Sequence, residues 1–211
     1  MEKFLYLFAL NMVLLGFKAS AISPNKHSDT TTQLNIATKI DTTGAKKFWD
    51  ALNKHCGKTF EGEIISAPAG DDFRGKRLVM HVLSCSTNTI LIPFNVGDDR
   101  SRTWVLTYTN GRIELKHDHR HKDGTSDKIT MYGGRTSNSG PSTLAMFPAD
   151  EETAKIIPAA ATNVWWITVD DKAFTYNLRR IGTERFFSVS FDLSNEVETP
   201  EASWGWEDYL K

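Results

Sequence analysis

Two rhythms of apolar residues run along this chain. Between Gly44 and Cys56, Phe48, Leu52 and Cys56 recur at every fourth position with Trp49 beside them, which predicts one short helix with a single apolar stripe. After Lys58 the period falls to two. Runs at Thr59–Ser66, Arg77–Cys85, Thr89–Val96, Thr103–Thr109, Arg112–His121, Asp127–Tyr132, Ser142–Phe147, Val164–Val169, Ala173–Arg180 and Phe186–Leu193 predict strands. Gly, Asn, Asp and Pro punctuate them. Asp150, followed by Glu151 and Glu152, marks the N-terminus of a second helix that Pro158 limits.

About nine or ten sequential strands with short connections describe a mainly β chain. A single antiparallel up-and-down β-barrel removes the sheet edges that such a meander would leave open. A short helix followed by a long up-and-down sheet resembles the calycin class, which includes lipocalins and nitrobindin-like barrels. The first strand carries Gly57-Lys58-Thr59-Phe60 where the lipocalin signature has Gly-x-Trp. The segments Ile92–Trp104, Lys116–His121 and Tyr132-Gly133-Gly134 resemble an uncharacterised family of secreted bacterial proteins. That resemblance implies export and carries over no activity and no site residues.

The N-terminus supports export independently. Lys3 precedes the apolar runs Phe4–Leu10 and Met12–Phe17, and Ala19-Ser20-Ala21 forms an A-x-A cleavage site. Residues 1–21 read as a signal peptide, with an N-terminal membrane anchor as the alternative. The run is short for a bilayer span, and no other long apolar run follows. Residues 22–43 read as a flexible leader, rich in Thr, Ser, Asn and Asp, and 44–211 as one barrel domain. The destination is the periplasm or the exterior. There, Cys56 and Cys85 are expected to form a disulfide, and no CxxC spacing suggests reactive thiols instead. Lys plus Arg number 25 and Asp plus Glu 26, so no basic excess marks a nucleic-acid binder.

Asn110-Gly111 between two alternating runs is a strong hairpin signal and fixes a register. A two-residue turn pairs Thr109 with Arg112, Tyr108 with Ile113, Leu106 with Leu115, Trp104 with His117, Arg102 with His119 and Arg100 with His121. One face is then apolar near the turn and becomes Arg100, Arg102, His117, His119 and His121 farther out. The opposite face, with Glu114, Lys116 and Asp118, reads as solvated. A bulge near Asp99 would spoil the outer part of this register.

Three uses of the Arg/His face stay open. It can be a salt-bridge network on a barrel rim. It can be an anion pocket, with Arg100, Arg102, His117, His119 and His121 around the charge and Trp104 and Tyr108 around the body of a small, partly apolar ligand. It can be a zinc or copper site built from His117, His119, His121 and Asp127. Corresponding functions are a ligand-binding barrel, a metal- or histidine-dependent hydrolase, and a structural envelope protein. No Ser sits in a Gly-x-Ser-x-Gly elbow, and Gly133-Gly134 lacks the Lys-Ser/Thr of a phosphate loop.

Overall fold

A computed structural model describes residues 41–210. The segment expected to be a signal peptide, and nearly all of the expected leader, lie outside the described residues. Helix α1 (Gly44–Asn53) starts where the Thr43 hydroxyl accepts the Lys46 amide at 3.2 Å. It buries Ala45, Phe48, Trp49 and Leu52, the stripe expected from the spacing, and ends one turn earlier than predicted. Helix α2 (Glu151–Ile156) is capped by Asp150, whose carboxylate accepts the Thr153 amide at 2.8 Å, and stops before Pro158. Among the described residues, no helix is long and apolar enough to cross a membrane.

The strands are β1 (Thr59–Ser66), β2 (Leu78–His81), β3 (Ser84–Cys85), β4 (Thr89–Val96), β5 (Asp99–Thr109), β6 (Arg112–His119), β7 (Tyr132–Arg135), β8 (Leu144–Pro148), β9 (Asn163–Val169), β10 (Ala173–Arg180) and β11 (Phe186–Glu196). All pairings between these strands are antiparallel, in the order β7-β6-β5-β4-β2-β1-β11-β10-β9-β8, with β3 paired to β4. The sheet curls into a nearly closed barrel. Its two ends meet at one bridge, Gly134 to Ala149, and the Asp150 amide donates to the Gly133 carbonyl at 3.0 Å. The Thr153 hydroxyl completes the seam, accepting from the Gly133 amide and donating to the Gly133 carbonyl. Only glycine fits here: a Cβ on Gly133 would lie 1.9 Å from the Leu115 carbonyl oxygen, and one on Gly134 would lie 1.8 Å from that of Pro148.

Two strand predictions need correction. Arg77–Cys85 is broken into β2 and β3. Residues 127–131 leave the sheet: Asp127 accepts the Ile129 amide in a tight turn, and Met131 takes a positive φ of 55°. The ladder resumes only at Tyr132, so this strand starts where it was expected to end.

Inside the barrel, α1 plugs one end. Trp49 packs 5.6 Å from Tyr108, and Phe60, Ile90, Leu106, Ile113 and Leu115 are fully buried. Cys56 and Cys85 are bonded, with Cα atoms 6.1 Å apart, tying the turn after α1 to β3. The cross-link spans a sequence separation of 29 residues. Reducing it is expected to cost about 3–4 kcal/mol by restoring unfolded-chain entropy. Urea denaturation of Cys56→Ser/Cys85→Ser against the oxidised protein measures this, and a difference under ~1 kcal/mol would contradict it.

The outer face of β6 is not solvated as expected. Lys116 is 8% exposed and Asp118 only 3%. Helix α2 covers Lys116, whose ammonium meets Asp150 at 2.7 Å and Glu152 at 2.8 Å. Burial opposes the Lys116 charge, but those hydrogen bonds outweigh it and hold its pKa above the usual value. The 203–206 segment covers Asp118. Its carboxylate accepts from Arg120 Nε at 2.7 Å, Trp206 Nε1 at 3.1 Å and the Thr130 hydroxyl at 3.2 Å.

Candidate functional site

The hairpin register forms as calculated from Thr109↔Arg112 to Arg102↔His119. The ladder ends there, and Arg100 and His121 do not pair. In the β4–β5 ladder Phe94 pairs with Arg102 and Val96 with Asp99, so Arg100 and Ser101 together oppose Asn95. This bulge turns Arg100 out of the interior, where it pairs with Glu201 at 2.6 Å and donates to the Ala202 carbonyl at 3.0 Å. His121 lies beyond the end of β6, exposed in a turn that its own amide closes by donating to the Thr125 carbonyl. Tyr108 points to the plugged end and donates to Asp41.

Arg102, Trp104, His117 and His119 do come together. They line a cavity of about 340 Å³ at the barrel end opposite α1. Its floor is a stack across the barrel: Trp104 lies 4.4 Å from Tyr176 and 4.8 Å from Phe94, nearly parallel to both. One wall holds His117 stacked 4.7 Å from Tyr132, with Trp165 beside them. Phe73, from the 67–77 loop, caps the mouth edge-on to Phe94 and Phe187, under the Arg102 guanidinium.

Both histidines are set by this wall. His117 Nδ1 donates to the Tyr132 carbonyl at 3.0 Å, because a carbonyl only accepts. Its Nε2 therefore carries the lone pair that accepts from the Tyr176 hydroxyl at 2.7 Å. Complete burial pushes its pKa down to about 3, so the ring is neutral at physiological pH. Burial, then the Arg102 charge, also lowers His119, whose Nε2 meets the Tyr132 hydroxyl at 3.1 Å. Burial pushes Tyr132 up to about 12 and Tyr176 well above its usual value. Positive charge in the cavity therefore comes from its arginines, not from protonated histidines.

The zinc or copper set is not assembled: His121 and Asp127 sit in the turns beyond β6. Among the described residues no three His, Cys, Asp or Glu side chains form a group able to hold a metal ion.

Several lining residues were not foreseen. Arg180 and Arg185 line the cavity with Arg102, and so do Asp71 and Asp72. Arg180 Nε donates to Asn163 at 2.9 Å. A signal for Arg180 was present: Phe174, Tyr176, Leu178 and Arg180 alternate on β10 and repeat the apolar-to-arginine gradient of β5. The Asp71–Phe73 loop and Arg185 reach the mouth only through barrel closure, which leaves no local mark in the sequence.

The sequence matches no protein-family model and none of the curated proteins.

Proposed function

We propose that this protein is an exported binding module that holds a small, partly apolar, anionic molecule in the open end of its barrel. The observation that carries this reading is the cavity itself, with an aromatic floor and three arginines at its mouth. Apolar walls with a few convergent polar groups are the usual composition of a small-molecule site. The disulfide and the apolar N-terminal run followed by Ala19-Ser20-Ala21 support an exported protein. Both cavity histidines are held by tyrosines rather than free to serve a nucleophile, which favours binding over turnover.

Titration with 1-anilinonaphthalene-8-sulfonate, an amphipathic anion that fluoresces in apolar surroundings, tests the cavity. One saturable site is expected in the native protein. Leu178→Trp, which fills the space between the walls, is expected to abolish it. Undiminished binding by Leu178→Trp would place the dye elsewhere and remove the support for this reading.

A further inference from the structure

The arginines around the open end are not equivalent. Arg100 points outward to Glu201. Arg102 is paired with Asp99, and Arg180 donates to Asn163. The Arg185 guanidinium lines the cavity and has no hydrogen-bond or ion-pair partner among the described residues. Arg185, Arg102 and Tyr132 line the same cavity, and both arginine charges act on the Tyr132 hydroxyl. We infer that Arg185 is the anchoring and specificity-determining residue of this cavity, and that the ligand is an aromatic monocarboxylate seated with its carboxylate between Arg185 and the Tyr132 hydroxyl.

This assignment rests on the cavity being a ligand site, and adds which ligand. The single negative charge follows from charge balance. Arg102 is offset by Asp99 and Arg180 is held by the neutral Asn163 amide, which leaves the Arg185 guanidinium as the one with no partner to give up for a ligand, and Asp71 and Asp72 in the same lining oppose a second negative charge on it. The aromatic body follows from the lining, in which rings dominate and Leu178 and Ile157 are the large aliphatic side chains. Ring-to-ring contacts add about two- to tenfold in affinity each beyond the area they bury. The size follows from the volume: about 340 Å³ is near the lower end for ligand pockets and suits one or two fused rings. Arg185 itself is exposed in the turn between β10 and β11, so replacing it does not disturb the core.

Calorimetric titration of the oxidised protein with four probes of one shape tests this. They are 2-naphthylacetate, its fully saturated decalin analogue, 2-naphthyl phosphate and neutral 2-naphthylethanol. Naphthylacetate is expected to bind with 1:1 stoichiometry, about tenfold more tightly than each of the other three. Arg185→Gln is expected to lose about tenfold for naphthylacetate and nothing for the alcohol, while Arg100→Gln, on the arginine that points away from the cavity, stays within about threefold. Equal binding of the decalin acid overturns the aromatic assignment, and tighter binding of the phosphate overturns the monoanion. An Arg185→Gln variant that binds naphthylacetate as the native protein does overturns the anchor. Each of these results would leave the barrel a binding module. Failure of all four probes overturns the inference, and the dye titration then decides whether the cavity reading falls with it.

Discussion

Leu115→Asp is expected to leave no cooperative unfolding transition. Leu115 is 0% exposed in the centre of β6, paired with Leu106 and next to the glycine seam at Gly134. Truncating a buried Leu costs about 2–5 kcal/mol, and an unpaired carboxylate in the same place costs several more. The sum reaches the whole stability of a typical domain, about 5–15 kcal/mol. Leu115→Met keeps the volume and should lose under ~1.5 kcal/mol. The neighbouring residue tests the covering of the outer face. Lys116→Asp would set a third carboxylate against Asp150 and Glu152, and is expected to cost roughly 3 kcal/mol in urea denaturation. A Lys116→Asp loss below ~0.5 kcal/mol would mean that α2 does not lie over β6.

Acid should destabilise the protein through His117 well above the pH at which carboxylates titrate. In the unfolded chain this imidazole has an ordinary pKa of 6.5, and in the fold burial lowers it to about 3. Between those values the unfolded state binds the extra proton, so stability falls as pH falls, at up to ~1.4 kcal/mol per pH unit. The stability is fully present above pH 6.5, and about 4–5 kcal/mol of it is gone near pH 3. His119 and His81, also lowered chiefly by burial, add in the same direction. His117→Gln, which can donate to the Tyr132 carbonyl and accept from Tyr176, should flatten the slope between pH 6 and 4 by about 1 kcal/mol per unit. Parallel slopes for the two proteins would show that His117 is protonated in the fold.

What the chain discloses locally, and what it does not, divides along the same strand. The β5–β6 register was legible because a two-residue turn leaves one pairing, and a period of two then assigns every side chain to a face. Trp104, His117, His119 and Arg102 reached the cavity through that rule alone. Alternation says which residues share a face, but not what later covers it. Lys116 and Asp118 looked wet because α2 and the 203–206 segment dock from far along the sequence. Arg100 was misplaced by a single extra residue, which inverts facing beyond it.

The strand order divides the barrel into two meanders, β1–β7 and β8–β11, joined in two unlike ways. At the glycine seam the joined strands are consecutive in the chain, so little loop entropy is lost in bringing them together. On the other side Phe60 pairs with Glu196 and Gly62 with Phe191, contacts between opposite ends of the domain. Contacts of that separation reward the chain only after most of it is ordered, and they slow folding. Damage to the late-forming β1–β11 ladder would thus act mainly on how long the barrel lasts, and damage to the seam, whose strands meet early, more on the rate of reaching it.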